Sequence, residues 1–285
     1  MIKMKIQKSF KEERPTLYIV ATPIGNLSEM TPRAIETLNK VDIIAAEDTR
    51  TTGKLLDHFD IQTQTIAYHM HNEKKSTSGI IKLLDEGKSV ALVSDAGYPL
   101  ISDPGQTLVS EVIAKGYPVV PISGSSAFLN ALVASGLVTQ PFSFMGFLET
   151  KETLLKKQVQ SIEAIEHTLI FYVSVHRVEK TLKTIHNILG NRQVCLAREI
   201  TKLHEEFIRT DLESLLETEI TLKGEFVLIL EGNNKSEEIS IEALLMEVEQ
   251  EILEGMSPSR SITKIAKQYN ISKNELYNEY LIKRN

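Results

Sequence analysis

The sequence predicts an α/β protein made of two α/β domains, with a small helical appendage at its C-terminal end. The first half alternates short apolar runs with amphipathic helical segments, and the second half keeps the apolar runs with fewer helices between them. The remaining segment carries only helical patterns. The predicted parts are a basic N-terminal extension (1–15), an N-terminal α/β domain (16–140), a C-terminal α/β domain (141–235) and a helical appendage (236–285).

The composition excludes several classes of protein. Of the 285 residues, 42% are hydrophobic and 25% charged, a balance typical of globular proteins. No apolar run approaches the ~18 residues of a membrane span, and residues 1–15 lack the apolar core of a secretory signal. The single cysteine, Cys195, excludes a disulfide scaffold and suits a reducing compartment. We therefore expect a cytoplasmic protein with no membrane partner.

The net charge of −6 is unevenly distributed along the chain. Residues 236–254 hold seven glutamates and no basic residue, whereas residues 255–285 hold six Lys or Arg against two Glu. The appendage is therefore predicted as an acidic helix (240–254) followed by a basic helix pair that is interrupted at Asn270 and Ile271. Such a pair is typical both of helix-turn-helix nucleic-acid binding and of a simple packing appendage.

The N-terminal domain alternates strands and helices in the order expected of a parallel sheet covered by helices. Thr31 followed by Pro32 predicts a helix start, with Thr31 as N-cap and Pro32 at the first helical position. The predicted strands are 17–21, 41–46, 65–68, 90–93 and 117–120, and the predicted helices include one through 55–59, one over 76–86 and one that ends at Lys115.

The C-terminal domain has fewer helices per strand, which favours antiparallel pairing. Its predicted strands are 168–173, 193–197, 205–209 and 225–230, and its predicted helices are 151–165 and 177–189.

Four turn-rich segments follow predicted strands of the N-terminal domain: 22–27, 47–50, 94–105 and 121–126. Glycine and proline in any one of them are explained by ordinary turn chemistry. Ligands of parallel α/β sheets bind at the carboxyl ends of the strands, however, and all four segments are expected there. The segment 94–105 contains two Gly, two Pro, two Asp and two Ser, which is more turn-forming and hydrogen-bonding residues than a plain connection requires.

The segments ATPIGNL, AEDTR, VALVSDAGYPLISDPG, REITKLHEEF and GEFVLILEG together resemble the tetrapyrrole-methylase superfamily, and within it the bacterial methyltransferases of small-subunit ribosomal RNA. The resemblance implies S-adenosylmethionine in a cleft between two α/β domains. It also implies 2′-O-methylation of a cytidine ribose in the decoding region of 16S rRNA, by a homodimer.

Two positions depart from the pattern of that family. The usual FYESPHR is replaced by FYVSVHR over 171–177, so Val173 and Val175 stand where Glu and Pro are usual. The loop that usually begins Pro-Gly has Ile122 after Pro121. The first change removes a carboxylate that could orient RNA or cofactor, so altered kinetics or reliance on another group is expected. The second is expected to reshape the cofactor pocket slightly.

The resemblance also implies which residues face the cofactor. The Asp95 carboxylate and backbone groups hold its polar ends, while Ile101 and aromatic side chains cover the adenine. Phe171 and Phe226 lie in apolar strands and are equally well explained as core residues. The expected cofactor-binding set is Pro23, Asp95, Ala96, Gly97, Ile101, Ser123, Ser126, Phe171, Tyr172, Leu203 and Phe226.

Methyl transfer to a ribose hydroxyl requires positioning and removal of a proton. The candidates for a catalytic role are Asp103, Asp48, Arg50 and Glu205, with Glu47, His204 and His176 as further candidate bases. Asp103 precedes Pro104, so a turn-forming role is an alternative for it. The cations expected to bind RNA are Arg177, Arg198, Lys202, Lys264, Lys267 and Lys273, and Arg50 is a further candidate for a phosphate contact.

No metal site is predicted, because His69 and His71 lack a third ligand at metal spacing. Two alternative functions stay open. A small-molecule (tetrapyrrole) methyltransferase has the same fold. A nonenzymatic RNA-binding protein, acting through its basic helix pair, is the alternative from a different class of function.

Overall fold

A computed structural model describes residues 6–9, 14–69, 73–234, 241–269 and 271–284. The chain divides into two compact units, residues 1–232 and 233–285. Much of the predicted basic extension lies outside the described residues, as do His71 and Asn270.

The first unit begins with a five-stranded parallel sheet in the order β3-β2-β4-β1-β5. Its inner strands are buried on both faces, which explains why they are continuous apolar runs without alternation. Pro121 is tolerated in β5 because that strand lies at the edge. The predicted parallel sheet is thereby confirmed. The strands are β1 (Leu17–Val20), β2 (Ile43–Ala46), β3 (Thr65–Ala67), β4 (Val90–Val93) and β5 (Val119–Ile122).

Helices cover both faces of this sheet. The Thr31 hydroxyl accepts from the Ala34 N–H at 3.2 Å, and Pro32 is the first helical residue, as predicted. On one face Leu38 and Leu56 pack against the sheet, and on the other Leu84 and Leu108 do so. The helices are α1 (Pro32–Lys40), α2 (Thr49–His58), α3 (Glu73–Asp85) and α4 (Gln106–Lys115).

The second sheet has the order β6-β7-β10-β8-β9, and three of its four pairings are antiparallel. This confirms the pairing expected from the scarcity of helices. The strand β6, in the segment 142–147, was not predicted. The strands are β6 (Phe142–Phe147), β7 (Thr168–Val173), β8 (Gln193–Arg198), β9 (Glu206–Asp211) and β10 (Phe226–Leu230).

Helices also cover the second sheet, and one of them comes from the preceding half of the chain. The helix α5 follows β5, yet Ala131 and Leu132 pack with Ile170 and Val227 of the second sheet. The predicted domain boundaries at residues 140 and 235 stay predictions. The helices are α5 (Ala127–Ala134), α6 (Glu152–Ser161), α7 (Val178–Leu189) and α8 (Leu212–Glu217).

Some predicted element ends were wrong by a few residues, for local reasons. Val41 is not in a strand because its N–H donates to Thr37 O and closes α1. Tyr117 is not in a strand because Gly116, with φ 89°, ends α4 and the Tyr117 N–H returns to Val112 O at 3.2 Å. The predicted helix 151–165 ends at Ser161.

The described residues of the second unit form three helices around a small core of their own, in agreement with the predicted helical appendage. Val248, Ile262 and Leu276 are buried within it. Lys264 forms an ion pair with Glu251 at 2.7 Å, so basic residues of this unit pair with its acidic helix. The helices are α9 (Ile241–Leu253), α10 (Pro258–Gln268) and α11 (Lys273–Arg284).

Among the helices of the described residues, none combines the length and apolar character that crossing a bilayer requires.

Candidate active site

A cavity of about 460 Å³ lies between the two sheets of the first unit, beside the ends of β1 and β4. All four turn-rich segments of the first sheet contribute to it, through Ile24, Glu47, residues 95–98 and 101–103, and Ser126. The second sheet contributes residues of β7 and β10. The volume of the cavity lies within the range of roughly 300–1,000 Å³ that is common for small-molecule sites. We call it the central cavity.

The loop after β4 is held in an unusual conformation by the loop after β1. Thr22 and Gly97 exchange two backbone hydrogen bonds, at 2.9 and 3.0 Å, in an isolated antiparallel bridge. Gly97 has φ 77°, which glycine adopts without strain, whereas Leu100 and Ser102 have φ 71° and 69°. Strained residues of this kind persist where the surrounding structure determines them, often at functional sites.

Three carboxyl groups of the first sheet, those of Glu47, Asp95 and Asp103, line the central cavity. Burial, together with the charges of Glu47 and Asp95, raises the pKa of Asp103 to about 6, and a hydrogen bond from Ser94 partly opposes the shift. Burial and the Asp95 charge also raise the pKa of Glu47. The cavity is thus suited to a cation, and Asp103 can accept a proton near neutral pH.

Asp48 and Arg50 form a pair of their own outside the lining of the central cavity. Asp48 Oδ2 lies 2.7 Å from Arg50 Nη2, and Asp48 also accepts from the Arg50 N–H as N-cap of α2. Its own N–H donates to Asp95 Oδ1 at 3.2 Å. The Arg50 guanidinium holds the pKa of Asp48 well below its usual range, so Asp48 is a poor proton acceptor.

Strand β7 places two neighbouring aromatic residues on opposite faces. Tyr172 lines the central cavity, with its ring 5.3 Å from that of Phe147. Phe171 points into the core between the sheet and α6, α7 and α8, and it is 0% exposed. The structure therefore places Phe171 as a core residue, because successive side chains of a strand alternate between faces.

The two family departures in the second sheet also lie at the central cavity. Val173 and Val175 both line it, next to Phe226 of the facing strand. This wall is therefore apolar where the family pattern has a carboxylate.

The remaining predicted cofactor residues divide into two groups. Ala96, Gly97, Ile101 and Ser126 line the central cavity together with Asp95. The other three are not part of that lining. Pro23 lines a neighbouring cavity, Ser123 O accepts from the Thr31 hydroxyl at 3.2 Å, and Leu203 is 93% exposed.

In the loop after β8, the predicted site residues Glu205 and Lys202 are engaged in contacts within the protein. Glu205 Oε2 accepts from the Thr201 N–H at 2.7 Å. Lys202 Nζ lies 2.8 Å from Glu199 Oε1 and 2.9 Å from Glu225 Oε2. Glu205 thus fixes the loop, and the charge of Lys202 is already balanced.

The other predicted RNA-binding cations also have protein partners or lie on exposed helices. Arg198 pairs with Glu206 at 2.8 Å, and Arg177 donates to Thr150 O. Lys267 and Lys273 are exposed in the second unit. His176 and His204 are exposed and do not line the central cavity.

Comparison with known proteins identifies the family. The model of the family described as "Tetrapyrrole (Corrin/Porphyrin) Methylases" matches residues 16–216, which span both sheets except β10. The chain belongs to the tetrapyrrole methylase family. This confirms the resemblance of its sequence motifs and the predicted fold class.

Two curated relatives are similar over nearly the whole chain, and both are named ribosomal RNA small subunit methyltransferase I. The protein of Halalkalibacterium halodurans is 46% identical over 97% of this chain and 99% of its own length. That of Bacillus subtilis is 43% identical over 99% of this chain and 100% of its own length.

A solved structure of a tetrapyrrole methylase has the same fold. The uroporphyrin-III C-methyltransferase of Thermus thermophilus, solved in complex with S-adenosylhomocysteine, aligns with a TM-score of 0.54 and 16% identity. The alignment covers 76% of this chain and 97% of that chain. At this identity the likeness shows the fold alone.

Sequence reasoning missed several residues of the central cavity. Tyr98 lines it, and its hydroxyl accepts from the Gly124 N–H at 3.1 Å, which ties together two of the loops. Gly224, Glu225 and Val227 also line it, and the resemblance implied them only collectively, as residues near Phe226. Tyr98 lies within the segment 94–105, so its position was the available signal.

Proposed function

We propose that this chain is an S-adenosylmethionine-dependent methyltransferase that 2′-O-methylates the ribose of a cytidine in the decoding region of 16S rRNA. The observation that carries the proposal is the carboxyl-lined cavity between the two sheets, with Asp103 able to accept a proton near neutral pH. The names of the relatives support an RNA of the small ribosomal subunit as substrate. The proposal includes a cytoplasmic homodimer.

The residues of the central cavity fit S-adenosylmethionine by charge and shape. The cofactor supplies a methyl group on a positively charged sulfur and leaves as a neutral thioether. Carboxylates of Glu47 and Asp95 complement that positive charge in a partly desolvated site. The left-handed backbone of Gly97 keeps the floor free of a side chain, and Ile101 with Tyr172 offers apolar surface for adenine.

Asp103 is the group that removes the proton. A ribose hydroxyl is a weak nucleophile until its proton is drawn off, and a base with a pKa near the working pH does this most effectively. Asp103 meets that condition, whereas Asp48 is held ionised by Arg50. As the ribose oxygen gains the methyl group, its proton moves to the Asp103 carboxylate and then to solvent.

RNA is bound by cations beside the cavity and on the second unit. Arg50 pairs with Asp48, but its side chain is 88% exposed and can reach a phosphate, and Lys267 and Lys273 are exposed as well. Phosphate contacts release counterions, so affinity for RNA is expected to fall steeply with salt. Cofactor affinity is expected to be much less sensitive to salt.

The proposal is tested by methyl transfer from labelled S-adenosylmethionine to small ribosomal subunits that lack the modification. The expected product carries one label on one cytidine ribose of the decoding region, located by mass spectrometry of nuclease digests. Subunits that already carry the modification serve as the control and should accept no label. Label on a base, or transfer to a tetrapyrrole and none to RNA, would contradict the proposal.

A further inference from the structure

The edge strand β6 carries one extra residue where it passes the central cavity. Its pairing with β7 is regular up to Phe144 and Ile170 and resumes at Phe147 and Tyr172, so β6 uses three steps where β7 uses two. Gly146 lies within this stretch and has φ 66°, which glycine adopts without strain. An extra residue of this kind is a β-bulge, and bulges often redirect a side chain beside a functional site.

The extra residue changes the face of the sheet on which Phe147 lies. Side chains of a strand alternate between the two faces of a sheet. Phe144 packs on the face of Tyr172, whereas Met145 packs on the opposite face, in the core between the sheet and α6, α7 and α8. Regular alternation would place residue 147 on the face of Met145. Because of the bulge, the Phe147 ring lies on the other face, 5.3 Å from the Tyr172 ring, and lines the central cavity.

The Phe147 ring is open to the cavity rather than stacked within the protein. Phe147 is 59% exposed, and its ring plane is tilted by 59° from that of Tyr172. The inner pair, Phe128 and Phe144, is stacked instead, with ring centroids 4.4 Å apart and planes at 23°. The inner rings therefore serve each other as stacking partners, whereas Phe147 presents its ring to the cavity.

Phe147 also adjoins the loop that carries the proposed base. A Cβ atom built on Gly146 would lie 3.6 Å from Ser102 Oγ, so β6 runs directly beside this loop. Asp103 follows Ser102 and lines the same cavity as Phe147. Asp103 also lies near Tyr172, since burial and the Asp103 charge both raise the pKa of that tyrosine. A planar group stacked on Phe147 would therefore share one end of the cavity with Asp103.

Two planar groups are candidates for this ring, the adenine of the cofactor and a base of the RNA. A cofactor is largely enclosed by its site, and Tyr172 with Ile101 already offers apolar surface for adenine. Phe147 is more exposed than either of these residues, as suits contact with a large substrate that arrives from solvent. Unpaired RNA bases commonly stack on exposed aromatic side chains. These observations favour the RNA base.

We propose that the Phe147 ring stacks on the base of the target nucleotide and thereby positions its ribose, and that the bulge in β6 turns this ring toward the cavity. The inference rests on the proposed function and adds a substrate-positioning residue to it. Stacking on an aromatic ring tolerates any base, so Phe147 places the nucleotide rather than selecting its identity.

The test compares Phe147→Leu, which keeps an apolar side chain without a ring, with Phe147→Trp, which keeps a ring. Phe142→Leu is the matched control, since Phe142 is an exposed phenylalanine of the same strand that does not line the central cavity. We expect kcat/KM for small subunits to fall at least about tenfold in Phe147→Leu and to stay within about threefold of the wild type in Phe147→Trp. Phe142→Leu should change it by less than about twofold.

Two further measurements distinguish base stacking from other roles of the ring. The Kd for S-adenosylmethionine, measured by calorimetric titration, should stay within about twofold of the wild type in all three variants. Light scattering should give the same oligomeric state for the wild type and each variant.

The outcomes separate this inference from the proposed function. If the wild type transfers no methyl group to small subunits, the proposed function fails and this inference fails with it. If the wild type transfers it and Phe147→Leu transfers it equally well, or if Phe147→Trp loses as much activity as Phe147→Leu, only the stacking inference is overturned. A loss of cofactor affinity equal to the loss of kcat/KM in Phe147→Leu would place the ring in the cofactor site, and a changed oligomeric state would place it in a contact between copies. Either result would also overturn the inference.

Discussion

The two sheets of the first unit contribute different things to the central cavity. The parallel sheet contributes three carboxyl groups, those of Glu47, Asp95 and Asp103. The second sheet contributes one, that of Glu225, which is paired with Lys202, together with Tyr172 and apolar side chains. The difference follows from topology, since every strand of a parallel sheet ends at the same edge and brings its loop there. Antiparallel neighbours end at opposite edges. Proton removal is therefore expected to depend on the first sheet, and cofactor affinity on both sheets.

The largest effect is expected from Asp103→Asn in the first sheet. Loss of a general base commonly lowers kcat by about 10²–10⁴-fold, and the amide preserves the shape of the side chain. Steady-state methyl transfer to small subunits measures this, with Asp57→Asn on the exposed surface of α2 as control. A loss below about threefold would place the base elsewhere.

In the second sheet, Phe171→Ala is expected to reduce stability rather than chemistry. Truncating a fully buried Phe typically costs about 3–5 kcal/mol because a cavity is left behind. Urea unfolding measures the loss, and cofactor affinity under conditions where the variant is folded should stay close to that of the wild type. A large loss of affinity in the folded variant would instead make Phe171 part of the cofactor site.

The variant of the neighbouring residue, Tyr172→Ala, is expected to lower cofactor affinity rather than stability. Its ring lines the central cavity, so its removal is expected to weaken S-adenosylmethionine binding by about tenfold, or ~1.4 kcal/mol. Calorimetric titration measures this, and Tyr172→Phe, which keeps the ring, should bind nearly as the wild type does. Equal weakening in both variants would show that the hydroxyl, not the ring, contributes the affinity.

The smallest effect concerns the pH dependence of stability. The pKa of Asp103 is about 6 in the folded protein and about 3.9 when unfolded. The stability this group contributes is therefore present below about pH 4 and lost as the pH rises through about 6.

Asp103→Asn should accordingly be more stable than the wild type above about pH 7, by on the order of 1 kcal/mol, because solvent screens a half-buried carboxylate. The difference should vanish near pH 4. Thermal unfolding at both pH values measures it, and a variant less stable than the wild type at neutral pH would contradict the assigned pKa direction.

The two sheets also differ in how well their strands could be predicted from the sequence. The parallel sheet was predictable because runs such as 90–93 are apolar throughout and alternate with helices, and Thr31 marks a helix start by local chemistry. The strand β6 was missed because the alternation of Phe142, Ser143 and Phe144 stops at an irregularity between Phe144 and Phe147, so the strand period is too short to be recognised.

The roles of individual site residues were less predictable, because they depend on distant partners. Phe171 and Tyr172 are adjacent and chemically alike, and only the packing of β7 decides which one faces the cavity. Lys202 was expected to contact RNA phosphate, but it forms ion pairs with Glu199 and Glu225 instead. These pairs were not predictable because they depend on contacts between segments that are separate in the sequence. The contribution of the loop 94–105 to the site was predictable, because one continuous segment of the sequence carries both Asp95 and Asp103.

The most direct test of this account is the pH dependence of kcat/KM for methyl transfer to small subunits. If Asp103 removes the proton, kcat/KM of the wild type should rise with pH through about 6 and then level off, and Asp103→Asn should lose that step. A wild-type profile that is flat between about pH 5 and 8, or a step near 6 that persists in Asp103→Asn, would contradict it.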